Sequence, residues 1–76
     1  MSAPQADRLA LMANQIARNL AVQGEARAIA ATADHIARFW EPRMRTAIVA
    51  YVARGGALHP IADAAVRQLA DPPPPV

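Results

Sequence analysis

Two histidines, six carboxylates and eight arginines are the side chains able to move a proton, hold a metal or bind an anion, and cysteine and lysine are absent. His35 and His59 do not form a metal-spaced pair such as two histidines four apart around a glutamate. Without cysteine this chain offers no disulfide, iron–sulfur ligand or thiolate zinc site. No Ser/His/Asp or Cys/His set occurs in a spacing that would arm a nucleophile. Gly55-Gly56 lacks the following Lys and Ser/Thr of a phosphate loop. Three acids precede an arginine by four residues: Asp34 with Arg38, Glu41 with Arg45 and Asp63 with Arg67. That order supports a helix surface by a few tenths of a kcal/mol per pair and needs no catalytic explanation. His35 reads as a structural or interface hydrogen-bonding group, and His59, just before Pro60, as a helix cap. These residues point away from an active site contained within the chain, so no catalytic, cofactor-binding or metal residues are assigned.

The chemistry-bearing residues concentrate in Ala33-Asp34-His35-Ile36-Ala37-Arg38-Phe39-Trp40-Glu41-Pro42-Arg43-Met44-Arg45, which holds two of the three aromatics and three of the eight arginines. Trp and Arg are the types that dominate protein interfaces. The simpler reading makes Phe39 and Trp40 core residues at a helix–helix corner with the arginines solvated. Neighbours on a helix point about 100° apart, so Phe39 and Trp40 cannot easily share one core. The candidate partner-interface residues are therefore His35, Phe39, Trp40, Glu41, Pro42, Arg43, Met44 and Arg45.

The elements that must position this segment are helices. Ser2-Ala3-Pro4-Gln5 fits a capping box with Pro in the first turn. Leu9, Met12, Ala13, Ile16 and Leu20 form one apolar stripe, predicting a first helix to about Val22 that Gly24 ends. The second helix is predicted from about Glu25 to Phe39, with Ile29, Ala33, Ile36 and Trp40 as its stripe. Pro42 disfavours a helical Glu41 and opens the third helix. There Met44, Ile48, Tyr51 and Val52 face one way, with Val49 off that face. Gly55-Gly56 ends it, and Pro60 opens a short fourth helix to about Ala70 carrying Ile61, Ala65 and Leu69. Pro72-Pro73-Pro74-Pro75 cannot continue a helix. The expectation is an all-α bundle of three to four short helices over residues 1–70, with a proline-rich tail over 71–76.

At 76 residues the chain is one domain, and a domain of this size buries only about 60% of its unfolded surface. The 54% hydrophobic content is inflated by alanine, which favours helix but adds little buried area. Net charge is +2, with the arginines spread along the chain and only Arg38, Arg43 and Arg45 grouped. Nucleic-acid binding usually demands a denser basic face. No apolar run approaches the roughly 18 residues needed to span a bilayer. The first residues carry no basic stretch followed by an apolar run, so no secretory leader is expected and the cytoplasm is the default location.

The central segment, Ala33-Asp34-His35-Ile36 with Phe39-Trp40-Glu41-Pro42-Arg43-Met44-Arg45, resembles the signature of the NAD-dependent formate dehydrogenase delta subunit family. Met12-Ala13-Asn14-Gln15-Ile16-Ala17 is similar to that family's N-terminal segment, and the likeness covers roughly residues 7 to 70. Glu41 departs from the expected Asp, the better helix cap. The resemblance implies a non-catalytic subunit that binds the catalytic alpha subunit for structural stabilisation or maturation. It implies beta and gamma subunits in the same complex, which oxidises formate to carbon dioxide and passes two electrons to NAD. On those other subunits it implies a bis-molybdopterin guanine dinucleotide cofactor with molybdenum or tungsten, iron–sulfur clusters and FMN. A small helical nucleic-acid binder is the second reading, since Arg43 and Arg45 open a helix able to meet phosphates. A membrane-surface helix fits worse, because the helices lack a Lys/Arg-rich polar face with large aromatic anchors.

Overall fold

The computed structural model describes residues 4–70. Four helices follow one another: α1 (Pro4–Leu20), α2 (Glu25–Phe39), α3 (Pro42–Ala53) and α4 (Pro60–Ala70), with no strand among the described residues. The all-α expectation holds. The capping box that rests on Ser2 and the proline tail after Ala70 lie outside the described residues. No helix among those residues is long and apolar enough to cross a membrane.

Each break has a local cause. The first helix, expected to about Val22, is regular to Leu20 and tightens into a 3₁₀ turn over Ala21–Gln23 before Gly24. Such a turn offers a shorter bond to a carbonyl left orphaned at the helix end. Here the Gly24 N–H donates to the Ala21 carbonyl at 3.1 Å, while the Gly24 carbonyl accepts from the Ala28 N–H at 2.8 Å. Gly24 thus closes one helix and opens the next, at φ 96° and ψ 152°, a conformation side chains resist.

The end of α3 is a Schellman motif. The Gly56 N–H donates to the Tyr51 carbonyl at 2.8 Å and the Gly55 N–H to the Val52 carbonyl at 2.9 Å. Gly55 takes the required positive φ of 90°. Gly56 is needed for a different reason: a Cβ there would lie 2.5 Å from the Tyr51 ring. That ring covers the turn, and its hydroxyl donates to the Ala57 carbonyl at 3.3 Å. Gly56→Ala is expected to expel the ring and cost about 1–2 kcal/mol, in the range of a steric overpacking. A urea midpoint equal to wild type would contradict this packing.

The core lies where all four helices meet. Leu9, Ala13 and Ala17 of α1 are buried against Ala28 and Ile36 of α2, Ile48 and Val52 of α3, and Ile61, Ala62 and Val66 of α4. The predicted stripes are right in direction and incomplete in membership. Ile16, Leu20, Ile29 and Leu69 pack only at its margin, and Met12 sits at its exposed edge. Seven of the fourteen buried apolar residues are alanine, so the helices meet through small side chains that no periodicity of large residues marks. Val49, off the main stripe of α3, is half-buried and lines an open groove with Leu69.

One buried group is out of place chemically. Thr32 of α2 is fully buried, and its Oγ1 has no hydrogen-bond partner. An unpaired buried hydroxyl costs roughly 1–3 kcal/mol. Thr32→Val keeps the branched shape and removes the hydroxyl, so its urea midpoint is expected to rise. A lower midpoint would mean the hydroxyl is satisfied in solution.

Candidate functional site

The residues singled out at the α2–α3 corner fall into three groups in the fold. The corner itself is made by Pro42, which holds Glu41 extended at φ −67° and ψ 152° and occupies the first turn of α3. Trp40 is also extended, at φ −88° and ψ 141°, and its N–H still donates to the Ile36 carbonyl at 3.0 Å. The chain therefore leaves α2 and enters α3 with only two residues between helices.

Trp40 turns inward. It is 5% exposed and belongs to the core cluster with Ile36, Ile48 and Leu9. It was a candidate docking anchor; in this fold its surface is already covered by its own chain. Met44 packs against the same core and is half-buried.

Arg45 faces the end of α2. Its guanidinium donates to the Trp40 carbonyl at 2.5 Å and to the Ala37 carbonyl at 3.3 Å. Both carbonyls belong to the C-terminal turn of α2, whose last four C=O groups have no partner within the helix. A cation there also meets the negative end of the helix dipole. The expected Glu41–Arg45 pair is not formed, because the bend at Pro42 takes Glu41 off the helical face and the carbonyls claim the guanidinium. Glu41 makes no side-chain cap on α3 either. The other two pairs do form, Arg38 with Asp34 at 3.0 Å and Arg67 with Asp63 at 2.8 Å, and both are solvent-facing.

His35, Phe39, Glu41, Pro42 and Arg43 turn outward. Phe39 is 71% exposed, an unusual setting for its ring, and lies 4.8 Å from the His35 ring at a tilt of 48°. Residues four apart on α2 thus present an aromatic pair on its outer face. Arg43 lies across a cleft from Arg8 of α1, with Leu9, Met12, Glu41 and Met44 as the other lining residues. Sequence reasoning missed Arg8 and the cleft, since nothing in the spacing says that the start of α1 meets the α2–α3 corner.

His59 is the cap it was expected to be. Its Nδ1 accepts from the Ile61 N–H at 3.1 Å and its carbonyl accepts from the Asp63 N–H at 2.8 Å. Its own N–H donates to Asn14 Oδ1 at 2.8 Å, tying α1 to the start of α4. Asn14 went unnoticed as a structural residue because its partner lies 45 positions away. Among the described residues no three His, Asp or Glu side chains converge on a metal-sized space.

A sequence model of the family described as NADH-dependent formate dehydrogenase delta subunit FdsD matches residues 8–66. That span takes in the α2–α3 corner, both histidines and the Gly55-Gly56 turn. No curated protein and no solved structure matches the chain.

Proposed function

Because the chain belongs to the NADH-dependent formate dehydrogenase delta subunit family, we propose that it acts as the non-catalytic delta subunit of a soluble, NAD-linked molybdenum or tungsten formate dehydrogenase. In this reading it binds the catalytic alpha subunit in the cytoplasm and stabilises that subunit or assists its maturation. The bis-molybdopterin cofactor, the iron–sulfur clusters and the FMN reside on the alpha, beta and gamma subunits.

The observation that carries the reading is the family match over most of the helical domain. The structure supports it in two ways. His59 is committed to capping α4, and His35 packs at a tilt against Phe39 on an open helix face. The outward part of the corner supplies an exposed aromatic and an arginine, the side chains from which interfaces draw most of their energy.

The test is to produce the formate dehydrogenase with and without this chain and to purify each assembly. Co-purification, a higher yield or greater metal content with the chain, at equal turnover per loaded catalytic centre, is the expected outcome. An enzyme identical in yield, metal content and heat resistance without the chain would remove the reading. Within the complex, His35→Ala and His59→Ala are expected to leave turnover per loaded centre near wild type. His59→Ala should lower the stability of the free chain by about 1 kcal/mol, as a lost helix cap does. Abolished turnover at normal assembly and metal content would make the chain catalytic after all.

A further inference from the structure

Building on the delta-subunit reading, we propose that the cleft between the start of α1 and the α2–α3 corner seats a partner segment that combines carboxylates with an apolar side chain. The cleft measures about 270 Å³ and is lined by Arg8, Leu9, Met12, Glu41, Arg43 and Met44. Its walls come from elements far apart in sequence, so it exists only in the folded bundle. Arg8 and Arg43 are exposed, and neither pairs with a carboxylate among the described residues. The arginines of the two solvent-facing pairs and Arg45 are, by contrast, already engaged.

The floor is thioether and aliphatic. Met12, 36% exposed, and half-buried Met44 offer flexible apolar surface that moulds to an incoming side chain. Two guanidiniums over such a floor match carboxylates that bracket an apolar residue, because each fork can take one carboxylate with two parallel bonds. Glu41 adds one negative charge to the rim and leaves the cleft cationic by one. That Glu also speaks against a nucleic-acid backbone, whose affinity comes from many neutralised phosphates and not from two arginines beside a carboxylate. The volume is of the order of a few side chains, and on the delta-subunit reading the occupant is a protein segment.

The experiment titrates the full-length chain into formate dehydrogenase purified without it, using calorimetry. Arg8→Glu and Arg43→Glu are each expected to weaken binding by about thirtyfold or more, as breaking charge pairs at an interface does. Arg27→Glu and Arg54→Glu, outside the cleft, should bind as wild type. Circular dichroism reports whether each variant folds, and the milder Arg8→Gln/Arg43→Gln double variant decides if a charge reversal unfolds the chain. Wild-type binding together with undiminished binding of the folded cleft variants would overturn the cleft and leave the subunit reading standing. No binding by the wild-type chain would overturn both. Tight binding to a 20-base-pair DNA duplex, abolished by the same arginine substitutions, would reassign the cleft to phosphate and overturn the proposal.

Discussion

Trp40→Ala is expected to unfold the free chain or bring it close to unfolding. Trp40 is 5% exposed, packs with Ile36 and Ile48, and is the largest side chain in the core. Truncating a buried aromatic to alanine costs roughly 3–5 kcal/mol, through lost burial and the cavity left behind. Whole domains carry about 0.05–0.15 kcal/mol per residue, so the loss is a large share of the total here. Phe39→Ala is the internal comparison. Phe39 is 71% exposed, and its removal should change the urea midpoint little while weakening attachment to the large subunit if the His35–Phe39 pair is part of the docking face. Far-UV circular dichroism in urea separates the two. An unaltered midpoint for Trp40→Ala would contradict the inward placement of the indole.

Arg45→Met should cost about 2 kcal/mol, the usual worth of hydrogen bonds from a charged donor. Methionine keeps much of the aliphatic stem, so the loss isolates the guanidinium's bonds to the Trp40 and Ala37 carbonyls. Arg45→Lys keeps a cation at the end of α2 but not the fork, and should fall between. The effect on docking is expected to be indirect, through the angle at which α3 leaves α2. Arg43→Met, with an exposed guanidinium free of intrachain pairs among the described residues, should leave the urea midpoint near wild type. If Arg45→Met were as stable as wild type, the guanidinium would not be holding the corner.

The helix boundaries were legible because glycine and proline act locally. Gly24, Pro42, Gly55 and Pro60 each impose backbone conformations that need no knowledge of the rest of the fold. Core membership was less legible. In an alanine-rich chain many of the alanines that are buried, such as Ala17, Ala28 and Ala62, look like those that are not. The site shows the same division. The segment from Ala33 to Arg45 stood out by composition, and its likeness to the delta subunits agrees with the family match. The spacing of the second helix already put Trp40 rather than Phe39 on the inward stripe, but what Arg45 grips depends on the direction in which α3 departs after Pro42. That direction is set by long-range packing. Arg8 entered the site only through the fold, since its neighbour Arg43 lies on another helix.

The alanine-lined core has a calorimetric consequence. Small side chains expose little apolar surface when the chain unfolds, so the heat-capacity increment should lie below the usual ~12–15 cal/mol/K per residue, flattening the stability curve. With an unfolding entropy of ~2 cal/mol/K per residue, a chain of 76 residues changes its midpoint temperature by about 6 °C for each kcal/mol. A partner present at a hundred times its dissociation constant adds about 2.7 kcal/mol. Scanning calorimetry of this chain should therefore register a saturating partner as a displacement on the order of 15 °C, and the molecule serves as its own binding thermometer.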